Sequence, residues 1–124
     1  MDVTPLVPQG RQVIEAYGDN GFRISGVRYD GSVLVLPDRT LNWAVATSED
    51  ITAESLVPVT DHEETELLLL GFGKRPVMLS QAFRDTLRSK GVSLEPMDTG
   101  AASRTYNVLL AEGRRVAAAL IAVE

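Results

Sequence analysis

The sequence predicts one α/β domain built on a strand–helix–strand–helix–strand core over Glu66–Val123. Three short apolar runs, at Leu67–Leu70, Val92–Met97 and Val116–Val123, are separated by two segments with helical apolar spacing. Each of those segments opens on a capping residue, Ser80 or the Asp98–Thr99 pair, and is followed by glycine, Gly91 or Gly113. Strands that alternate with helices of this length pair in parallel, because each crossover helix carries the chain back to the end of the sheet where the strands begin.

Composition bounds the rest. A chain of 124 residues suits a single domain with a real core. Its net charge of −5 argues against a nucleic-acid backbone or an anionic membrane as the main partner, while leaving room for a local basic patch. There is no cysteine, and His62 is the single histidine, so thiolate chemistry and multi-histidine metal sites are excluded. Met1–Pro5 shows no basic region followed by an apolar one, and the longest apolar run, Val116–Val123, is too short to span a bilayer. The expectation is a cytoplasmic protein with no direct membrane insertion, no cofactor, a loose arm over residues 1–10 and one domain over 11–124.

In order along the chain, Gln12–Tyr17 is the first extended candidate, and Gly18-Asp19-Asn20-Gly21 marks a tight reversal. Phe22, Ile24 and Gly26 alternate with polar residues as in a half-buried strand. Asp30-Gly31 predicts a hairpin between Val27–Tyr29 and Ser32–Leu36, the latter apolar enough to be buried on both faces. Pro37 ends that strand, and the alternation of Leu41, Trp43 and Val45 predicts another. Thr52–Leu56 suits a helical turn stopped by Pro58, and the acidic run Asp61–Glu66 suits a solvated loop rather than a metal site around His62. Leu79, Phe83 and Leu87 share one face of a helix over Gln81–Lys90. Tyr106, Leu109 and Leu110 supply the apolar face of a second helix over Ala101–Glu112.

Three stretches are candidate sites. Gly71-Phe72-Gly73 after a strand could cradle a phosphate, with Glu95 at the offset of a ribose-binding acid. Pro76, however, stands where the dinucleotide fingerprint needs its third glycine, so a sharp turn is the favoured reading. The two loops at the carboxyl ends of the strands would together offer Gly71, Phe72, Gly73, Lys74, Arg75, Asp98, Thr99 and Gly100 to a small anion, against capping and loop packing. Tyr106 and Asn107 could move a proton, against a packed tyrosine and an asparagine bonded to a neighbouring segment. No nucleophile elbow, P-loop or paired metal motif is present, which leaves an enzyme the less favoured class.

Taken together, Tyr29–Val35, Leu69–Gly73, Met97–Ala102, Thr105-Tyr106-Asn107 and Arg114–Ile121 resemble the Mth-type domain family. It is a family of unknown function that includes a mitochondrial NADH dehydrogenase (complex I) assembly factor. The resemblance covers the chain from about Val13. It implies a three-layer α/β fold with a mixed central sheet and extra N-terminal strands, and no catalytic residues. It also implies protein partners, including subunits of a membrane respiratory complex. The family usually places threonine between the two glycines where this chain has Phe72, so a hydroxyl open to a ligand in relatives is missing here. Trp43, Phe72 and Tyr106 are the aromatic anchors such a partner would use if they are exposed.

Overall fold

The computed structural model describes residues 10–124, so the arm expected over residues 1–10 lies outside it except for Gly10. Strands β1 (Ile14–Gly18), β2 (Gly21–Ile24) and β3 (Val27–Asp30) form a three-stranded antiparallel sheet. Strands β4 (Val33–Val35), β5 (Thr40–Asn42), β6 (Leu67–Gly71), β7 (Ser93–Met97) and β8 (Val116–Leu120) form a mixed sheet in the order β5-β4-β8-β6-β7. The helices are α1 (Val57–Thr60), α2 (Gln81–Ser89) and α3 (Thr99–Ala111). The expected core is present, with β6 parallel to both β7 and β8.

Crossover handedness explains the layers. From β6 the chain moves one place outward to β7, and from β7 it returns past β6 to β8. Right-handed crossovers in opposite directions put their helices on opposite faces. Accordingly, Leu87 of α2 packs with Leu68, Leu70, Ala117 and Ala119, while Tyr106 and Leu110 of α3 pack with Leu69, Val116, Ala118 and Leu120. The three-stranded sheet joins the α3 side through Ile14, Phe22 and Ile24. Strand β8 thus buries both faces, and its small alanines let the two layers close on it.

Four local expectations are corrected. Asp30-Gly31 does not close a hairpin: β3 pairs with β2, and β4 leaves for the central sheet to pair with β5 and β8. Val33–Val35 is apolar on both faces and is fully buried there, which pairing with the half-exposed β3 would not allow. The hairpin turns are Asp19-Asn20 (φ 51° and 59°) and Ser25-Gly26 (φ 46° and 83°), whose paired positive φ values match the twist of the flanking strands. The strand predicted through Val45 ends at Asn42, although the Trp43 N–H still donates to Ser32 O at 2.9 Å. Pro58 does not stop the helical turn but sits in the first turn of α1, where no N–H is needed. Strand β8 ends at Leu120 rather than Val123.

The Thr105-Tyr106-Asn107 stretch fastens α3 to the N-terminal strands. Asn107 Oδ1 accepts from Ile14 N–H at 3.0 Å and its Nδ2 donates to Ile14 O at 2.7 Å, so one side-chain amide pairs with β1 as a neighbouring strand would. Tyr106 is fully buried and its hydroxyl donates to Gln12 O at 3.2 Å; burial pushes its phenol well above the usual range, so the proton stays on. Asn107→Ala strands both Ile14 groups and is expected to cost about 1–2 kcal/mol by urea denaturation. An unchanged midpoint would remove the amide from the list of structural ties.

Candidate functional site

In an open α/β sheet a ligand crevice forms where the loops leaving two adjacent strands diverge to opposite faces. Here that place is the carboxyl end of β6 and β7, and the structure does bring Gly71, Gly73, Thr99 and Gly100 together there, all buried. What fills the crevice is Thr99. Its hydroxyl accepts from Gly73 N–H at 2.8 Å and donates to Ile121 O at 2.7 Å, and its own N–H donates to Gly73 O at 2.8 Å. Phe72 N–H donates to Met97 O at 3.0 Å, and Ala101 N–H to Asp98 Oδ1 at 2.8 Å. The amides of Phe72, Gly73, Thr99 and Ala101 are therefore already used inside the protein, which reduces the donors open to a phosphate. Asp98 is the N-cap of α3, and Lys74 and Arg75 are exposed on the loop beyond. Glu95 is exposed on β7.

The three proposed aromatic anchors are all buried, which corrects the expectation that they stand exposed to a partner. Trp43 is 6% exposed and its indole N–H donates to Ser55 O at 3.1 Å, tying the 3₁₀ turn Glu54–Leu56 to the sheet. Tyr106 lies under the three-stranded sheet. Phe72 is 7% exposed and lines a surface groove, as Trp43 lines a separate cleft beside Asn20, Ser32 and Asp50.

The groove at Phe72 has a volume of about 310 Å³ and is lined by Ser48, Glu49, Ile51, Phe72, Val77, Met78, Leu79, Ser80 and Phe83. It lies between the 3₁₀ turn Ser48–Asp50 and the start of α2, whose N-cap Ser80 accepts from Phe83 N–H at 3.1 Å. Met78 is 95% exposed and Val77 41%. The segment Pro76–Leu79 has no regular structure, and among the described residues it exchanges no main-chain hydrogen bond. Sequence reasoning missed this groove because Val77-Met78-Leu79 reads as a lead into the helix. The available signal was two apolar residues between Pro76 and a helix cap, outside any periodic face.

A larger cleft, of about 780 Å³, is lined by residues that include Arg11, Asp38, Arg39, Leu41, His62 and Glu64. His62 Nε2 meets Asp38 Oδ1 at 3.1 Å, and its Nδ1 lies 3.4 Å from Thr65 Oγ1. Partial desolvation pushes the Asp38 carboxyl up. The His62 bond, a backbone hydrogen bond and the nearby His62 and Arg39 charges outweigh it and hold the group below the usual aspartate value. A lowered folded value means the stabilisation is present above the unfolded value of about 3.9 and is lost as pH falls through the folded one. Asp38→Asn is expected to destabilise by under about 1 kcal/mol at neutral pH, Asp38 being largely exposed, and its melting curve should converge on that of the parent chain below that range. Among the described residues no three histidine or acidic side chains converge to hold a metal, and no helix is long and apolar enough to cross a membrane.

The arrangement of two sheets and opposed helices has close counterparts. Residues 14–121 match a family described as protein of unknown function (DUF498/DUF598). The chain belongs to that family. It is 39% identical over 110 residues to NADH dehydrogenase [ubiquinone] 1 alpha subcomplex assembly factor 3 of Danio rerio, a match covering 88% of this chain and 63% of the relative. The chain thus spans less than two thirds of that assembly factor. A Bartonella henselae crystal structure, described as an outer membrane protein, superposes with a TM-score of 0.85 at 39% identity, covering 96% of this chain and all of that one. The solution structure of a Bordetella pertussis Mth938-like domain superposes with a TM-score of 0.79 at 31% identity, covering 98% and 92%. The Mth-type resemblance and the three-layer mixed fold are therefore correct.

Proposed function

We propose that this protein is a non-enzymatic assembly factor. Acting from the cytoplasm, it binds another protein during biogenesis of a membrane respiratory complex. The observation that carries this reading is the Met78 groove, where an exposed apolar pair and an unbonded stretch of main chain flank a recess floored by aromatic rings. Exposed apolar surface of this kind fits a protein contact. The likeness to family members named as complex I assembly factors supports the choice of process. A small-ligand role at the β6–β7 crevice is less well supported, since Thr99 already satisfies Gly73 N–H and Ile121 O there.

The test is deletion of the gene in its own host, followed by native electrophoresis of solubilised membranes stained for NADH dehydrogenase activity. Loss of the full-sized complex, restored by a plasmid copy, is the expected result. Normal assembly in the deletion strain would overturn the reading.

A further inference from the structure

Five of the twelve lysines and arginines, Lys74, Arg75, Arg84, Arg88 and Lys90, fall within residues 74–90, beside a single acid, Asp85, in a chain whose net charge is −5. Among the described residues none of the five makes an ion pair, whereas Arg11, Arg23, Arg28 and Arg115 each do. Asp85 is engaged by Gln81 Nε2 at 2.9 Å. Arg84 donates to Leu94 O at 3.4 Å, which turns its flank of α2, shared with Arg88 one turn on, towards the β7 edge. None of these five charges is therefore neutralised by a direct ion pair among the described residues, although the molecule as a whole is acidic. The same seventeen residues carry the exposed Val77 and Met78 and most of the lining of the groove.

We propose that the groove and its basic flank take an acidic amphipathic segment of a partner protein. Its large apolar side chains enter the recess between Ile51, Phe72 and Phe83, and its carboxylates meet Lys74 and Arg75, which are exposed just before the groove-lining Val77–Ser80. The inference rests on the protein-binding reading above and states the partner's chemistry. Glu49 on the opposite rim sets the polarity, because it repels an acidic residue placed on that side. A concave recess favours a protein segment over a lipid surface, since a bilayer could engage the protruding Met78 but not fill the space behind it. The strongly acidic remainder of the chain would also be repelled by anionic lipid.

The experiment is selection from a display library of random dodecapeptides on the full chain, with vesicles of phosphatidylcholine and phosphatidylserine as a separate arm. Enriched peptides should combine two or more acids with large apolar residues. A synthesised winner should bind the parent chain with an affinity that falls as salt rises. Binding should weaken at least about tenfold with Met78→Asp, and equally with Lys74→Glu plus Arg75→Glu, against little change with Arg114→Glu at the opposite end of β8. All the replaced side chains are exposed, so melting midpoints of the variants should match the parent. No enrichment, enrichment of basic or uncharged peptides, binding indifferent to these variants, or binding to vesicles alone would overturn the proposal. None of those results touches the deletion phenotype, on which the assembly reading is tested separately.

Discussion

Thr99→Val is expected to lower stability by about 2–4 kcal/mol, although it conserves the shape of a fully buried side chain. The hydroxyl sits between two main-chain groups from different segments, accepting from Gly73 N–H at 2.8 Å and donating to Ile121 O at 2.7 Å. Valine leaves both buried and unpaired, and burial denies them water as a substitute. Each orphaned group costs about 1–3 kcal/mol. Thr99→Ser keeps both bonds and gives up only a methyl group, so it should lose about 1 kcal/mol. Urea denaturation of the two variants separates the readings. If serine and valine cost the same, the hydroxyl is incidental and Thr99 acts only by packing. If valine costs far more, the threonine holds the carboxyl ends of β6 and β8 and the start of α3 in one joint.

Gly71→Ala is expected to cost about 3 kcal/mol, a large effect for one added methyl group. A Cβ there would come within 2.9 Å of Thr99 Cα, 3.0 Å of Leu120 Cδ2 and 3.1 Å of Thr99 Oγ1. The nearest obstacle is backbone, which cannot rotate aside, and Gly71 lies on β6, the strand held by both β7 and β8. The demand on Gly71 is for space, since its φ is not positive. Because Thr99 Oγ1 is one of the obstructing atoms, Gly71→Ala combined with Thr99→Ala should cost less than the two changes added together. Strict additivity in thermal melts would mean that the strain is relieved elsewhere, by a shift of β6 itself.

These two residues show how sequence and structure divide the account. Gly71 and Thr99 were legible as members of the two strand-end loops, because a glycine pair after an apolar run and a capping pair before a helix are local signals. Their relation to each other was not legible. They are far apart in the chain, and only the crossover of β7 over β6 sets Thr99 against Gly71 as a plug. The aromatic anchors failed for a related reason. Residue type gives the chance of burial, and only the packing of the three-stranded sheet and the 3₁₀ turns decides that Trp43 and Tyr106 are covered while Met78 is not.

What the sequence determined by itself is the set of local choices: five segments of the α/β core, the caps Ser80 and Asp98, the reversal at Asp19-Asn20, and the concentration of cations in residues 74–90. Each follows from periodicity, capping or charge within a few residues. The tertiary structure alone decided which turn closes a hairpin, which sheet Val33–Val35 enters, and where unpaired apolar and basic groups come to lie together. Those outcomes depend on what packs from distant parts of the chain. Asp30-Gly31 has the chemistry of a hairpin turn, but the wholly apolar β4 is fully buried between β5 and β8, a setting the largely exposed β3 does not offer.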